Sequence, residues 1–425
     1  MASALTAGHS TEGEEELAQV AARRSPARDD ALDKALRLLE ILPLVDGHND
    51  LPWVIREDAR ARGDVIAYDL TREHQDGDTD IPRLRAGRVS AQFWAAFIPT
   101  YVPHPGRTTL EQIDVILRLQ EAHPDVFMPA TKASDIAKAK KLGKIASFIA
   151  VEGGVGLENS LSPLRVWHAA GARLMTLCHN ETLDWVDSAT DAPRHGGLTA
   201  FGRAVVRELN RLGMIVDCAH VSHDVMRQVL DVSRAPVVFS HSNAFALCDH
   251  PRNVPDDVLA RVRGNGGLVM ATFVPDFIGQ QSRDWMRPLK DEFGKSRHDI
   301  DMGTAVAARA REAGPWPRGT LEQLCDHIEY IADKAGLRHV GIGSDFFGGP
   351  TPPGLEDASR FPHLLAELIR RGWSDDAIAG IASRNFLRVF RTVERIGREL
   401  RKVEKPALGT VEDFDGSRQS AVANR

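Results

Sequence analysis

Short runs of β-branched and other apolar residues recur along this chain, and segments with helical periodicity lie between several of them. This alternation is typical of parallel strands that are joined by crossover helices. The runs lie at 42–45, 89–95, 145–151, 173–177, 214–217, 237–240, 268–273 and 339–343. We therefore predict eight parallel strands.

Eight strand and helix units predict an α/β fold, with a (β/α)8 TIM barrel as the leading architecture. A doubly wound open sheet is the alternative, but no Gly-x-Gly-x-x-Gly pattern of a dinucleotide site follows the first run. The chain has 425 residues, 43% of them hydrophobic, which fits one large barrel or two to three ordinary domains. Composition does not choose between these.

Helical periodicity predicts the clearest helices at 110–123, 164–170, 199–212 and 375–401. The third of these ends at Gly213, a residue type that commonly stops helices. Ser374 is placed to cap the start of the last one.

We divide the chain into three parts. Residues 1–30 are polar and low in aromatic side chains, and we expect them to be poorly ordered. Residues 31–404 are predicted to form one barrel domain, in which a charged insertion rich in Pro and Gly, at 278–319, forms loop and helix outside the core. Residues 405–425 form a polar tail, which we also expect to be poorly ordered.

Charge and cysteine content exclude several classes of function. The formal net charge of -6 is spread along the chain, so no basic patch suggests nucleic acid as a partner. A secretory signal and an apolar run long enough to span a membrane are both lacking, so we expect a soluble, cytoplasmic protein. The spacing of the cysteines argues against a thiolate zinc site, and we predict small buried apolar roles for Cys178, Cys218, Cys248 and Cys325.

His48 and Asp50 follow the first apolar run and lie two residues apart. In an extended chain such residues point to the same side, so an imidazole and a carboxylate can reach one metal ion. Two solvated polar residues at a strand end are the alternative. The pair alone leaves both interpretations open.

Glu152, His220 and His241 each come at the end of another predicted strand. Singly, the glutamate could be an ordinary strand-end carboxylate, and each histidine could be a hydrogen-bonded core residue. A barrel brings the C-terminal ends of its strands to one face, where all three can meet His48 and Asp50. Three imidazoles and two carboxylates suit zinc, and a carboxylate can bridge two ions. The combination predicts a binuclear metal site and points to hydrolysis.

Three further residues are candidates for the surroundings of such a site. Asp345 ends the last predicted strand and can move protons, although a helix N-cap is the alternative. His179 follows the fourth strand and can donate to an oxyanion, or it can be an ordinary loop histidine. Arg252 can bind a substrate carboxylate, or it can be a surface arginine. We interpret His195 and His223 as structural or solvent-facing.

The chain resembles the membrane (renal) dipeptidases, zinc peptidases of the amidohydrolase-like barrels, from about Leu44 to Val393. The resemblance rests on DGHNDLP at 46–52, VEGG at 151–154, LMTLCH at 174–179, DCAHVS at 217–222, FSHS at 239–242, RNVPDD at 252–257 and GSDF at 343–346. Several such blocks in the right order are far more specific than any one of them.

The resemblance implies a metallo-dipeptidase with two Zn²⁺ per chain. It assigns His48 and Asp50 to the more buried ion and His220 and His241 to the second ion, with Glu152 as the bridge between them. It also implies a homodimer.

The same resemblance assigns roles around the metal ions. His179 would polarise the scissile carbonyl and hold the oxyanion, and Arg252 would bind the terminal carboxylate of a dipeptide whose C-terminal residue has the L or the D configuration. Asp345 would act as general base and then protonate the leaving amine.

The chain also departs from the mammalian pattern of this family. Val155 stands where those enzymes have a histidine, and Phe347 stands where they have an aspartate. Asn180 and Glu181 stand where a cysteine is expected just after His179, and the loss of that disulfide partner fits a reducing compartment. The lack of a signal and of a lipid-anchor pattern agrees, so we do not expect attachment to a membrane. The substrate-contacting tyrosine is missing near Val274, which leaves the side-chain preference open.

Two other functions remain as alternatives. The first is hydrolysis of another amide, a lactam, an N-acyl amino acid or a phosphoester at the same binuclear site. The second, from a different class, is a metal-binding homologue that has lost catalysis. The presence of all five candidate ligands and of Asp345 argues against it.

Overall fold

The computed structural model describes residues 29–295 and 302–416, and these form one sheet of nine parallel strands. The strands are β1 (Val45–Asn49), β2 (Ala91–Phe97), β3 (Phe127–Pro129), β4 (Ile145–Glu152), β5 (Ala172–Thr176), β6 (Ile215–Asp217), β7 (Val238–Phe239), β8 (Leu268–Ala271) and β9 (Val340–Ile342). Their order in the sheet is β1, β2, β4, β5, β6, β7, β8 and β9, and the short β3 pairs only with the start of β4.

The sheet curls until β9 returns to β1. Asn49 and Phe346 form a parallel bridge, and the N–H of Asp50 donates to the carbonyl of Phe346 at 2.9 Å. All eight residues of β4 are buried, as expected for a parallel strand that is covered on both faces. The eight strands other than β3 therefore form a (β/α)8 TIM barrel, as the sequence predicts.

Every predicted run overlaps a strand, but the first is displaced. β1 begins at Val45 instead of ending there, because Pro43 has no N–H to donate and the pairing with β2 starts only at Val45. His48 thus lies inside β1, and only Asp50 follows it, which corrects the expected position of His48. The sequence did not predict β3, since three residues are too few to show a strand pattern.

Helices separate the strands. They are α1 (Asp30–Ile41), α2 (Leu51–Glu57), α3 (Ile81–Ala86), α4 (Pro105–Ala122), α5 (Ala133–Lys141), α6 (Ser162–Ala169), α7 (Ala200–Leu212), α8 (His223–Val232), α9 (Asp256–Asn265), α10 (Pro275–Ile278), α11 (Gln280–Lys295), α12 (Met302–Ala313), α13 (Leu321–Ala335), α14 (Phe361–Arg370), α15 (Asp375–Ala379), α16 (Asn385–Val403) and α17 (Val411–Asp415). A π-helical turn at Gly380–Arg384 joins α15 to α16.

The two helix ends that the sequence predicts at Gly213 and Ser374 are confirmed. Gly213 ends α7 with a φ of 78°, and the side chain of Thr199 caps the start of that helix by accepting a backbone N–H. The side chain of Ser374 caps α15 in the same way. The long helix predicted at 375–401 is real but is interrupted by the π-helical turn.

The described residues of the predicted insertion at 278–319 are largely helical. Inside it, the rings of Trp285 and Trp316 stack with their centroids 6.0 Å apart, and the Trp316 indole N–H donates to the Ser282 hydroxyl at 2.8 Å. This contact holds α11 against the segment that leads to α13.

The chain packs on the barrel well beyond α16. Val411 is buried, Phe414 contacts Phe201 with ring centroids 5.9 Å apart, and the Asp415 carboxylate accepts the N–H of Ala200 at 2.9 Å. The prediction of poor order after Lys405 is therefore wrong for residues 405–416, because these contacts tie the segment to the start of α7. Of residues 1–30, which we expected to be poorly ordered, residues 1–28 lie outside the described part of the chain. Asp29 and Asp30 contradict the expectation, because they are the N-cap and the first residue of α1.

Burial of the cysteines agrees with the sequence. All four are buried and form no disulfide, as predicted for small apolar positions. Within the described ranges, no helix is both long enough and apolar enough to cross a lipid bilayer.

Two buried aspartates tie neighbouring strands together inside the barrel. Asp46, on β1, accepts the Gln92 amide N–H of β2 at 2.8 Å, and it accepts both the backbone N–H and the hydroxyl of Ser344, beyond β9, at 2.7 Å. These contacts join the three strands around the closure of the barrel.

Asp217, on β6, plays the corresponding part on the opposite side. Its carboxylate accepts the hydroxyl of Thr176, on β5, and the hydroxyl of Ser240, beyond β7, each at 2.6 Å. It also accepts the backbone N–H groups of Ala219 at 3.0 Å and Ser240 at 2.8 Å. Four donors leave this buried carboxylate well satisfied.

Asp78 docks the segment between α2 and α3 onto the chain beyond β9. Its carboxylate accepts the backbone N–H of Phe347 at 3.0 Å, and its carbonyl accepts the N–H of Ala358 at 2.9 Å. Burial, together with the nearby charge of Asp357, raises the pKa of Asp78 to about 6 despite the hydrogen bond from Phe347.

This raised pKa predicts a pH-dependent effect of Asp78→Asn. Asparagine keeps an acceptor for the Phe347 N–H and removes the charge. Because an unfolded aspartate has a pKa of about 3.9, the wild-type chain loses stability as the pH rises from about 4 to about 6, and the loss persists above that range. We expect the variant to unfold about 2–4 °C above wild type at pH 7.5, with the difference shrinking towards pH 4 in thermal scans.

Asp76→Asn is the matched control, because Asp76 is an exposed carboxylate in the same segment. An equal rise in the unfolding temperature of Asp78→Asn at pH 7.5 and at pH 4, or a fall at pH 7.5, would contradict the assignment of this effect to Asp78.

Candidate active site

The candidate ligands converge at the C-terminal end of the barrel. His48 lies in β1, Asp50 directly follows it, and Glu152 is the last residue of β4. His220 and His241 follow β6 and β7 by a few residues. All five side chains are buried, and the structure brings them together as the strand-end argument predicts.

Glu152 lies at the centre of this cluster. Its Oε2 is 3.2 Å from Nε2 of His48, and its Oε1 is 3.1 Å from Nε2 of His220 and 3.8 Å from Nε2 of His241. The two oxygens therefore face two different groups of imidazole nitrogens.

The carboxylate of Asp50 does not cap the helix that follows it. It occupies the N-cap position of α2, but its side chain makes no capping hydrogen bond, and Asn49 Oδ1 accepts the N–H of Leu51 at 3.0 Å instead. Its Oδ2 lies 3.5 Å from Nε2 of His48, so the two residues do point to the same side.

His220 and His241 approach each other on the other side of Glu152, with 2.9 Å between their Nε2 atoms. His220 adopts a left-handed backbone with a φ of 67°, which is unusual for a residue with a side chain. Its carbonyl is held by the N–H of Ala189 at 2.7 Å. Such local strain is typical of functional positions.

Asp345 completes the cluster from the end of β9. Its Oδ1 is 3.8 Å from Nε2 of His48, and its backbone is also left-handed, with a φ of 63°. A Cβ at Gly348 would lie 2.2 Å from the Asp345 carboxylate, so only glycine leaves room for it. Asp345 caps no helix, so the alternative that the sequence left open does not apply.

Burial and mutual charge set the proton affinities of the cluster. Burial, together with the charge of Glu152, raises the pKa of Asp50, and burial with the charges of Asp50 and Glu152 raises that of Asp345 well above its usual value. Burial lowers the pKa of His48, but the carboxylates of Glu152 and Asp50 outweigh it and raise that pKa well above its ordinary value.

The other two histidines of the cluster are neutral near pH 7. Burial lowers the pKa of both residues well below the ordinary value, reinforced by the positive charge of Arg252 at His220 and by those of His48 and Arg252 at His241. A neutral imidazole is the form that binds metal ions.

The donor set fits divalent metal ions. Ligand atoms lie within 4.8 Å of one another in three overlapping groups, which are His48 with Asp50 and Glu152, Glu152 with His220 and His241, and His48 with His241 and Asp345. Nε2 of His48 and Oδ1 of Asp50 are buried and form no hydrogen bond within the described ranges. A cation would satisfy these atoms and offset the clustered negative charge.

His179 lies beside this cluster. Its ring centroid is 4.3 Å from that of His220 and 4.6 Å from that of Phe97. Burial lowers the pKa of His179 to about 3, against the opposing charge of Asp50. The imidazole is therefore neutral and can act as a hydrogen-bond donor through one ring nitrogen.

Arg252 is fully buried, which excludes the surface arginine that the sequence left open. Its guanidinium lies 5.3 Å from the centroid of Phe277 and makes two long hydrogen bonds, to the Ser242 hydroxyl at 3.5 Å and to the His241 carbonyl at 3.4 Å. Its Nε forms no hydrogen bond within the described residues, and Asp345 and Glu152 act on the guanidinium only as nearby charges. A buried arginine without an anion is prepared to receive one.

His195 and His223, which we interpreted as structural or solvent-facing, lie outside the cluster. His223 Nε2 contacts the Asn253 carbonyl at 3.0 Å, and His195 Nε2 contacts the Leu183 carbonyl at 2.8 Å.

Sequence reasoning missed Asp46 and Asp217, which support the candidate ligands from below. Asp46 lies two residues before His48, and that spacing on a strand could have indicated it.

A family model of the membrane dipeptidases, peptidase family M19, matches residues 32–404. Among solved structures, the probable dipeptidase PvdM from Pseudomonas aeruginosa has a TM-score of 0.75 at 27% identity, and the alignment covers 86% of this chain and 99% of that one.

Two more distant structures share the fold. A metallopeptidase from Rhodobacter sphaeroides, solved with a phosphinate mimic of the dipeptide L-Ala-D-Ala, has a TM-score of 0.67 at 21% identity and covers 83% of this chain and 99% of its own. The dipeptidase AC, a metallopeptidase of family M19, has a TM-score of 0.66 at 23% identity with the same coverage. The chain belongs to the membrane dipeptidase family, peptidase family M19, and is a metallo-dipeptidase.

Proposed function

We propose that the protein is a binuclear zinc dipeptidase that cleaves dipeptides with a free C-terminal carboxylate. The observation that carries the proposal is the position of Glu152, whose two oxygens face His48 on one side and His220 and His241 on the other. His48 and Asp50 would hold one ion and His220 and His241 the second, with Glu152 shared between them.

The choice of zinc follows from the chemistry of the ligands. Three imidazoles and two carboxylates make a mixed nitrogen and oxygen set that zinc commonly binds, whereas magnesium and calcium prefer oxygen ligands alone. Two bound ions would lower the pKa of a water molecule between them and polarise the peptide carbonyl.

Asp345 would transfer the proton during the reaction. Its carboxyl group lies beside His48 at the edge of the cluster, with Oδ1 3.8 Å from Nε2 of His48, where a carboxylate can accept a proton and return it. It would take the proton from the attacking water and deliver it to the nitrogen of the leaving amine. His179, neutral and next to His220, would donate a hydrogen bond to the carbonyl oxygen as charge develops there.

Arg252 would determine which peptides are cleaved. A buried guanidinium stacked on Phe277 and without a carboxylate partner suits the terminal carboxylate of a substrate. A fixed site for the carboxylate close to the metal ligands leaves room for only one residue beyond the scissile bond. This requirement selects peptides in which the scissile bond is the last one, and dipeptides are the shortest of these.

Location and assembly stay predictions from the sequence. We expect a cytoplasmic homodimer that acts on free dipeptides.

Removal and return of metal tests the proposed function. We expect a chelator to abolish hydrolysis of dipeptides such as L-Ala-L-Ala and L-Ala-D-Ala, and Zn²⁺ to restore it when about two ions are bound per chain. Metal analysis and amine release would be measured on the same samples. Two bound zinc ions without cleavage of any dipeptide in a matrix of L,L and L,D substrates would favour another hydrolase, and fewer than two ions would contradict the binuclear site.

Replacement of Arg252 by methionine tests the recognition of the carboxylate. Methionine keeps a flexible apolar chain against Phe277 and removes the charge. We expect the KM for dipeptides to rise roughly 30-fold or more, the effect of about 2 kcal/mol that accompanies loss of one partner of a buried charge pair. The KM for the corresponding dipeptide amides should change little, because they lack the carboxylate.

Arg227→Met is the matched control, since Arg227 lies on the surface and pairs with Asp257 there. An unchanged KM for dipeptides in Arg252→Met, or an equal loss on dipeptides and their amides, would contradict the carboxylate role.

A further inference from the structure

We propose that Ser240 and Asn180 are positioning residues that fix the proton on Nδ1 of His241 and His220, and that they thereby set the affinity of the second metal ion. The inference rests on the proposed binuclear site. It concerns side chains that contact Nδ1 of His241 and His220, away from the Nε2 atoms that face Glu152.

His241 is held through a chain of two hydrogen bonds. Its Nδ1 lies 2.8 Å from the Ser240 hydroxyl oxygen, and that hydroxyl lies 2.6 Å from Oδ2 of Asp217. The carboxylate can only accept, so the hydroxyl donates its single proton to Asp217. The hydroxyl oxygen must then accept from His241, which places the imidazole proton on Nδ1 and leaves the lone pair of Nε2 for a metal ion.

Asp217 is anchored firmly enough to impose this direction. The hydroxyl of Thr176 and two backbone N–H groups also donate to it, and it is completely buried. A carboxylate that orients a metal-binding histidine from behind is a recurring device in zinc sites. Here a serine hydroxyl is interposed between the carboxylate and the imidazole.

His220 is held by Asn180 in an equivalent way. Nδ1 of His220 lies 3.2 Å from Oδ1 of Asn180, an oxygen that can only accept, so this imidazole also carries its proton on Nδ1. Asn180 is one of the two residues that replace the cysteine expected after His179 in the mammalian pattern. The replacement therefore supplies an acceptor that orients a ligand.

The other half of the site lacks this support. Nδ1 of His48 is buried and forms no hydrogen bond within the described residues. Two of the three imidazoles are thus oriented from behind, and both belong to the second ion. Loss of either hydrogen bond should lower the affinity for the second ion and leave the affinity for the ion at His48 and Asp50 unchanged.

Ser240→Ala and Thr176→Val form a matched pair that tests the first contact. Each removes one hydroxyl that donates to Oδ2 of Asp217 at 2.6 Å, but only Ser240 also touches His241. Zn²⁺ would be titrated into the metal-free chain in competition with a chelating dye. We expect Ser240→Ala to lower the affinity for the second ion roughly 10- to 100-fold, the usual effect of losing a hydrogen bond that orients a metal-binding histidine. Thr176→Val should leave the affinities for both ions at the wild-type values.

Asn180→Ala and Asn180→Asp test the second contact. Asn180 is exposed, so neither change removes core packing. Alanine removes the acceptor and should lower the affinity for the second ion about 10-fold. Aspartate keeps an acceptor, so Asn180→Asp should bind the second ion as tightly as wild type or more tightly.

The outcomes separate this inference from the proposed function. If the wild-type chain binds fewer than two zinc ions, the binuclear proposal fails and the inference fails with it. If wild type binds two ions and both Ser240→Ala and Asn180→Ala retain the wild-type affinities, only the inference is overturned. Equal weakening by Ser240→Ala and Thr176→Val would also overturn it, because the effect would then come from Asp217 alone.

Discussion

The carboxylate of Glu152 is buried at the end of a strand that is itself buried throughout, and imidazole nitrogens face both of its oxygens. An ionised group in such a place is costly unless positive charge or strong donors compensate it. Asp50 and Asp345 add negative charge nearby, and burial, together with the charges of the neighbouring carboxylates, raises the pKa of each. Two divalent ions would compensate all of these groups at once, and the proposed chemistry depends on that compensation.

The barrel beneath holds the ligands in place. Asp46 and Asp217 each bind side chains from the strands on both sides, so β1 and β6 are tied to their neighbours directly below His48, His220 and His241. Ligands on rigid strand ends need little rearrangement when they bind metal ions or substrate. The left-handed backbones of His220 and Asp345 are tolerated because the surrounding chain fixes them.

Much of the site could be predicted from the sequence because barrel topology converts position along a strand into position in space. The runs before Glu152, His220 and His241 mark strands, and the ends of parallel strands meet. The contact between Asn180 and His220 could not be predicted, since it joins side chains 40 residues apart that share no periodicity. The docking of α17 was missed for the same reason, as Asp415 and Ala200 are 215 residues apart.

The central claim is that Glu152 is shared by two metal ions. Diffraction data from crystals of the zinc-loaded protein, collected on both sides of the zinc absorption edge, test it most directly. The account predicts two anomalous peaks about 3.5–4 Å apart, one beside His48 and Asp50, the other beside His220 and His241, with one Glu152 oxygen bound to each. A single peak, or two peaks of which only one contacts Glu152, would contradict it.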